Sequence, residues 1–223
     1  MTRSAKVGED VKKIALIGAS GFVGSAILQE AVSRGHQVTA IVRDVSKVAA
    51  HPQVTAVAVD AQDSQALAKV LKGHDRVISA YNPGWSAPDI YDQYLKGASA
   101  IVAAANDAGS WLLVVGGAGS LEIAPGVQLV DTPEFPAEWK QGALAARDGL
   151  TALRRETTLD WRFVSPPVFL EPGEKRGGYR LGTDQVLFSG EQPAGITVGD
   201  LADGVLNEVQ APAHLRQRFT LGY

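Results

Sequence analysis

Residues 18–24 read Gly-Ala-Ser-Gly-Phe-Val-Gly and stand between the apolar run Ile14–Ile17 and a helical pattern over Phe22–Arg34. A strand, a glycine-rich turn and a helix in this order are typical of a site for the pyrophosphate of a dinucleotide. Gly18 permits the tight turn, Gly21 keeps a side chain away from the phosphates, and Gly24 lets the helix pack on the strand. The N-terminus of the helix offers free N–H groups and a partial positive charge to the anion.

Length and composition favour one α/β domain of 223 residues, of which 45% are hydrophobic and 20% charged. The formal net charge of −3 argues against nucleic acid as the main partner. No apolar run reaches the roughly 18 residues of a membrane span, so we expect no membrane partner. The absence of cysteine excludes disulfides and thiolate chemistry, and the four histidines lack metal-ligand spacing. We therefore expect no metal site.

The first twelve residues are polar and carry no apolar stretch, which is typical of a loose tail and not of a signal peptide. Residues 13–223 are then expected to form a single cytoplasmic domain, monomeric or homodimeric, that acts on a small molecule.

Strand and helix patterns alternate through the rest of the chain. The strand patterns cover Lys13–Ile17, Gln37–Val42, Val54–Val59, Arg76–Ala80, Trp111–Val115, Trp161–Ser165 and Arg218–Leu221. The helix patterns cover Phe22–Arg34, Ser64–Lys72, Asp89–Ala108, Pro136–Glu156 and Thr197–Val209. This alternation predicts an α/β, Rossmann-like, doubly wound parallel sheet.

Three segments interrupt the alternation, at residues 81–88, 116–135 and 166–196. Each follows a predicted strand, and ligands of open α/β sheets bind at the carboxyl ends of strands. We expect these segments to form a substrate cleft, with a small lid from the C-terminal loops.

Arg43 follows the second predicted strand, where the adenosine ribose of a dinucleotide should lie. An arginine there favours a 2′-phosphate and hence NADP(H), whereas an acid favours the free 2′-hydroxyl of NAD(H). Asp44 is one residue further on, so NAD(H) stays possible.

The third and fourth strands also end in candidate binding residues. Asp60 either accepts a hydrogen bond from the adenine amino group or belongs to a helix-capping network with Asp63. Ala80, Tyr81 and Asn82 should wall the ribose side of the cofactor.

The fifth strand is followed by Gly116-Gly117-Ala118-Gly119-Ser120, where the nicotinamide should approach. The glycines Gly116 and Gly117 allow the backbone close to a flat ring. Ser120 is either a hydrogen-bond donor to a carbonyl oxygen or a flavin, or an ordinary turn serine.

Together these stretches resemble the atypical short-chain dehydrogenase/reductases. Within them, the resemblance is to the NAD(P)H-binding group that contains candidate NADH-flavin reductases, biliverdin reductase B-like and NmrA-like proteins, often labelled NAD-dependent epimerase/dehydratase. The similar stretches are Lys13–Gly24, Val38–Asp44, Val77–Trp85, Val114–Leu121, Asp160–Pro167, Gly173–Gly182, Ile196–Ala202 and Arg218–Tyr223.

The resemblance implies NAD(P)H bound across the strand ends. The positions that it implies for the phosphate loop are Gly18, Ser20, Gly21, Phe22 and Val23. It assigns Arg43 to the adenosine phosphate and Ser120 to the active-site hydroxyl, and it places Pro166, Pro167 and Val168 beside the nicotinamide.

The chain departs from the family pattern in one respect. Epimerases and typical reductases that it resembles use a Tyr-x-x-x-Lys pair, in which the tyrosine is the general acid and the lysine lowers its pKa. None of the five tyrosines is followed by a lysine four residues later. Lys140 is a candidate partner of the nicotinamide ribose, or simply a solvated helix residue.

We therefore expect an NAD(P)H-dependent reductase of a small conjugated acceptor such as a flavin or quinone. The alternatives are a non-catalytic NADP(H) sensor and an epimerase or dehydratase with an unusual acid.

Overall fold

An eight-stranded sheet forms the centre of the computed structural model, which describes residues 11–223. The first ten residues of the predicted tail lie outside the described residues. The strands are β1 (Lys13–Ile17), β2 (Gln37–Val42), β3 (Val54–Ala58), β4 (Arg76–Ser79), β5 (Trp111–Val115), β6 (Glu122–Ala124), β7 (Val127–Gln128), β8 (Asp160–Ser165), β9 (Phe169–Glu171), β10 (Arg180–Gly182), β11 (Phe188–Ser189), β12 (Gln192–Pro193), β13 (Gly195–Thr197) and β14 (Gln217–Gly222). The α-helices are α1 (Phe22–Ser33), α2 (Ser64–Leu71), α3 (Ile90–Ala108), α4 (Ala137–Leu153) and α5 (Val198–Gln210).

The strand order across the sheet is β10-β14-β8-β5-β4-β1-β2-β3. Seven of these strands are parallel, and β10 joins β14 antiparallel at one edge. The order runs outward from β1 in one direction and from β4 in the other, so a crevice opens between them at the carboxyl ends. The predicted Rossmann-like, doubly wound fold is confirmed.

Both faces of the sheet are covered, which explains why the central strands are apolar at consecutive positions. In β1, Ile14 and Leu16 belong to the core beneath α1 and α5, whereas Ala15 and Ile17 belong to the core beneath α2, α3 and α4. These four side chains are at most 1% exposed. The strand that precedes the glycine-rich turn is therefore fixed from both sides.

Helix ends agree with the capping residues in the sequence. The Asp63 side chain accepts a hydrogen bond from the backbone N–H of Ala66 at 2.9 Å and starts α2. Gly109 ends α3 in the left-handed conformation, with φ of 62°. No helix within residues 11–223 is both long and apolar enough to cross a bilayer.

Two of the three predicted loops contain short strands that the sequence analysis did not predict. Segment 116–135 holds the β6–β7 hairpin. Segment 166–196 holds the β11–β12 hairpin, the edge strand β10, and the parallel pair of β9 with β13. Each of these strands is two or three residues long, which is too short for a period-two pattern to indicate it.

Candidate functional site

A cleft of about 1340 Å³ lies at the carboxyl ends of the parallel strands. Residues that directly follow β1, β2, β3, β4, β5 and β8 line it, together with one face of α4. Pockets for one small ligand usually enclose about 300–1000 Å³. The cleft is therefore larger than a pocket for one small ligand.

Two glycines of the 18–24 turn are required by the fold itself. Gly18 has φ of +81°, and a Cβ there would lie 2.7 Å from the carbonyl oxygen of Ala80. A Cβ on Gly24 would lie 2.0 Å from the carbonyl oxygen of Gly18, which is far inside contact distance. The absence of a side chain at these two positions lets β1, the turn and α1 pack closely.

Gly21 differs, because the protein leaves room for a side chain there. Its φ is −78°, and the nearest atom to an added Cβ is the carbonyl oxygen of Gly18 at 3.4 Å. Gly21 lines the cleft and is the N-cap of α1, where no described side chain forms a capping hydrogen bond. The first N–H groups of α1 therefore need another acceptor.

Ser20, Phe22 and Val23 line the same part of the cleft. Together with Gly21 they form an open cradle beside uncapped backbone donors, and such a cradle suits the pyrophosphate of a dinucleotide. The residues present thus fit the group that the sequence predicts.

Arg43 lines the cleft after β2, is exposed, and forms no ion pair with a described residue. Asp44 is engaged elsewhere: its Oδ1 accepts hydrogen bonds from the Ser46 backbone N–H at 3.0 Å and from the Ser46 hydroxyl at 2.6 Å. These bonds lower the pKa of Asp44. Of the two candidate ribose partners, only Arg43 is among the cleft-lining residues.

Asp60, Ala80 and Asn82 all line the cleft. The Oδ1 atom of Asp60 accepts a hydrogen bond from the Gln62 N–H at 2.9 Å, in the turn that leads to α2. Asp60 therefore lies at the cleft and also holds the turn before α2, whereas the cap of α2 itself is Asp63. The Oδ1 atom of Asn82 accepts from the N–H of Gly84 at 2.7 Å, which fixes the turn after β4.

Gly116 and Gly117, which directly follow β5, line the cleft. A Cβ on Gly116 would lie 1.9 Å from the ring of Phe163, so this glycine is needed for packing inside the protein. A Cβ on Gly117 would meet nothing closer than 3.9 Å. Pro166, Pro167 and Val168, which follow β8, line the cleft as well.

Ser120 is not brought to the cleft. Its side chain is buried, with the residue 4% exposed, and its hydroxyl accepts a hydrogen bond from Nη1 of Arg218 at 2.9 Å. Arg218 also binds Asp184, and burial lowers the pKa of Arg218. This placement does not support a role for Ser120 as a donor to the acceptor. The sequence signal for this contact was Arg218 itself, since a charged residue inside an apolar strand needs a polar partner when it is buried.

Lys140 is exposed on α4 and is not among the cleft-lining residues. The face of α4 toward the cleft carries Trp139, Gly142, Ala143 and Ala146, which recur at helical spacing. None of these four side chains can donate or accept a proton in catalysis. The wall on which a Tyr-x-x-x-Lys pair would stand is apolar.

Two of the five tyrosines, Tyr81 and Tyr94, line the cleft. The hydroxyl of Tyr81 donates to the carbonyl oxygen of Gln93 at 3.0 Å, and burial raises the pKa of Tyr81. Burial raises the pKa of Tyr94 to about 12. In both residues burial favours the neutral phenol.

The other three tyrosines are not among the cleft-lining residues. Their hydroxyls donate to carboxylates at 2.6 Å: Tyr91 to Asp148, Tyr179 to Asp203 and Tyr223 to Asp200.

The sequence analysis did not predict that large, exposed apolar side chains line the cleft. Trp85, Trp139 and Phe169 are 60%, 53% and 51% exposed and come from three separate segments. All three line the cleft, and so does Phe135. Three aromatic rings exposed in one cleft indicate a surface for a planar apolar ligand.

The family model for NAD(P)H-binding proteins matches residues 18–212. The uncharacterized protein YwnB of Bacillus subtilis is 40% identical over 214 residues, which cover 94% of this chain and 97% of YwnB.

Solved structures agree with that match. A candidate epimerase of Bacteroides thetaiotaomicron superposes with a TM-score of 0.90 at 41% identity, covering 96% of this chain and 98% of that one. SP1627 of Streptococcus pneumoniae, a candidate NADH-flavin reductase, superposes with a TM-score of 0.83 at 37% identity, covering 95% of this chain and 99% of that one.

Proposed function

The chain belongs to the NAD(P)H-binding family, and from this premise we propose that it is an NADPH-dependent reductase of planar, conjugated acceptors such as flavins or quinones. The observation that carries the proposal is the apolar cleft face of α4, formed by Trp139, Gly142, Ala143 and Ala146. An enzyme that protonates its substrate needs an acid beside the reacting atom, and this wall supplies none, whereas reduction of an already electrophilic ring needs no such acid. The candidate NADH-flavin reductase SP1627 is consistent with this chemistry.

The residues of the cradle would hold the cofactor. Gly21, Phe22 and Val23 would present backbone N–H groups to the pyrophosphate, and Arg43 would pair with the 2′-phosphate of the adenosine ribose. NADPH is preferred over NADH in this proposal because Asp44 is already bonded to Ser46. When bound, the nicotinamide supplies a hydride.

The protein's own contribution is placement of the acceptor. Trp85, Trp139 and Phe169 would stack on or flank a flat ring, and Pro166 and Val168 would limit the space beside the nicotinamide. Holding two reactants at contact distance lowers the barrier without any acid or base. Protons needed after hydride transfer would come from solvent, since the acceptor side of the cleft is open.

The apolar wall is equally compatible with a sensor that binds NADP(H) without turnover. The epimerase or dehydratase alternative agrees with the name of the Bacteroides thetaiotaomicron protein but needs an acid that the cleft-facing side of α4 lacks. The cytoplasmic location, the oligomeric state and the absence of macromolecular partners stay predictions.

Steady-state oxidation of NADPH, followed by its absorbance with riboflavin and with menadione as acceptors, tests the proposal. The expected result is turnover with at least one acceptor, slowed when the transferred hydrogen of NADPH is replaced by deuterium. Calorimetric binding of NADP⁺ serves as the control for an intact cradle. Binding without turnover would favour the sensor, and no binding at all would contradict both.

A further inference from the structure

We propose that the cleft selects its acceptor by charge, admitting planar rings that are neutral or cationic and disfavouring rings that carry a phosphate, sulfonate or carboxylate. This inference rests on the proposed reductase function and specifies the class of its acceptor. It concerns the acceptor end of the cleft, which we define by Trp85, Glu134, Phe135, Trp139, Phe169 and Glu171.

The acceptor end lies away from the part of the cleft that suits the dinucleotide. Its residues come from the turn after β4, from the segment between β7 and α4, from the start of α4, and from β9. The cradle and Arg43, by contrast, follow β1 and β2, on the other side of the crevice between β1 and β4. A second molecule in the cleft would therefore contact the acceptor end.

The aromatic side chains there suit a flat ring. Trp85 is anchored on one side, since its ring lies over Gly142 of α4 at a distance that leaves no space for a Cβ. Trp85 is nevertheless 60% exposed. An anchored ring that is open to the cleft is arranged to stack on a planar ligand.

Charge at the acceptor end is negative. Two of the six residues that define the acceptor end are charged, Glu134 and Glu171. Both are exposed, and neither forms an ion pair with a described residue. Arg43 is the one Lys or Arg among the described residues that line the whole cleft, and it lies at the adenosine side.

Nearby cations are paired with other residues or do not line the cleft. Lys140 follows Trp139 but does not line the cleft. Arg147 of α4 pairs with Asp131 and Asp148. An anionic substituent on the acceptor would thus meet two carboxylates and no counter-ion, whereas a neutral ring has no such cost.

Riboflavin and FMN provide a matched pair, because they share one isoalloxazine ring and FMN adds a phosphate. With saturating NADPH at low salt, we expect kcat/KM for riboflavin to exceed that for FMN by roughly tenfold, and the ratio to shrink as salt screens the carboxylates. The double variant Glu134→Gln/Glu171→Gln should bring the ratio close to one. Glu191→Gln removes the same charge from an exposed position outside the cleft lining and should leave the ratio unchanged.

Equal kcat/KM values for the two flavins, or a preference for FMN, would overturn the proposal. Loss of discrimination in the Glu191→Gln control would do so as well, since it would reduce the effect to overall charge. If neither flavin is reduced, the charge preference is measured as quenching of flavin fluorescence by the NADP⁺-bound protein, whereas the proposed function fails only if menadione is not reduced either. Equal affinities in that titration would reject the charge preference on its own.

Discussion

The ring of Trp85 lies over Gly142, so that a Cβ at residue 142 would come within 2.7 Å of the ring atom Cζ3. Gly142 is in the interior of α4, where glycine costs about 1 kcal/mol relative to alanine. The chain keeps the glycine at a position where it weakens the helix, and the indole occupies the space that results. This pairing joins the turn after β4 to the helix that walls the cleft.

Replacing Gly142 by alanine should therefore separate folding from acceptor binding. The helix gains propensity, and the exposed indole is displaced because it can move. The buried Ile90, whose Cδ1 atom would lie 3.1 Å from the added Cβ, has to shift slightly as well. We expect unchanged or slightly higher stability to urea, unchanged NADP⁺ affinity, and a KM for the acceptor raised by about tenfold, the value of an aromatic contact of about 1.4 kcal/mol. Trp85→Ala should have the same effect, and the double variant should be no worse than either single one. Additive losses in the double variant would show that the two residues act separately.

The glycines of the 18–24 turn offer a second contrast. Gly24→Ala places a Cβ 2.0 Å from a backbone oxygen, so it should lower the free energy of unfolding by several kcal/mol, as overpacking against rigid backbone does. An added Cβ at Gly21 meets only one atom within 4 Å, at 3.4 Å, so we expect Gly21→Val to fold. It should nevertheless abolish NADP⁺ binding in calorimetry, because its side chain enters the cradle. A folded Gly21→Val variant with full affinity would place the pyrophosphate elsewhere.

Cofactor choice should depend on Arg43. Its guanidinium is exposed at the cleft without a partner among the described residues, so a 2′-phosphate would gain a charged hydrogen bond there. Arg43→Gln should weaken NADPH binding by about 1.5–3 kcal/mol and leave NADH binding almost unchanged. Lys47→Gln, one turn further along, is the matched control for loss of a positive charge. Equal affinity of the unmodified protein for both cofactors would show that Arg43 does not select between them.

Ser120 should matter for stability more than for catalysis. Its hydroxyl accepts from Arg218, which is 5% exposed and also donates to the backbone oxygen of Ser120 at 3.0 Å. Ser120→Ala removes one of these bonds and should lower the free energy of unfolding by about 1–2 kcal/mol. In urea titrations we expect that loss, together with kcat within a factor of about two. A large fall in kcat at unchanged stability would restore Ser120 to the reaction.

The sequence could predict which residues after β1 and β2 line the cleft, because the signals there are local. Gly18, Gly21 and Gly24 lie within one turn, and Arg43 directly follows a strand whose partner and direction the pattern already indicated. The fold then needs only the right-handed crossover rule to bring these positions to one edge.

The arrangement of the acceptor end could not be predicted from the sequence, since it depends on contacts between distant segments. Nothing in the pattern near Trp85 indicates that its ring will meet a glycine 57 positions later in the chain. The burial of Ser120 depends likewise on Arg218, which is 98 residues away. Short strands such as β9 and β13 form only because they pair with each other, so neither has a signal of its own.

The last prediction concerns the tyrosines, and it decides whether the cleft contains a hidden acid. Tyr81 and Tyr94 line the cleft, yet one hydroxyl donates to a carbonyl oxygen and the other has a pKa raised to about 12 by burial. Tyr81→Phe and Tyr94→Phe should therefore keep flavin or quinone reduction within a few-fold of the unmodified protein, measured as kcat/KM at neutral pH. Tyr91→Phe, whose hydroxyl is bonded to Asp148 and which does not line the cleft, is the control for loss of a phenol. General acid catalysis contributes about 10²–10⁴-fold. A loss of that size in either cleft variant, with the control unaffected, would identify a proton donor and favour the epimerase or dehydratase alternative.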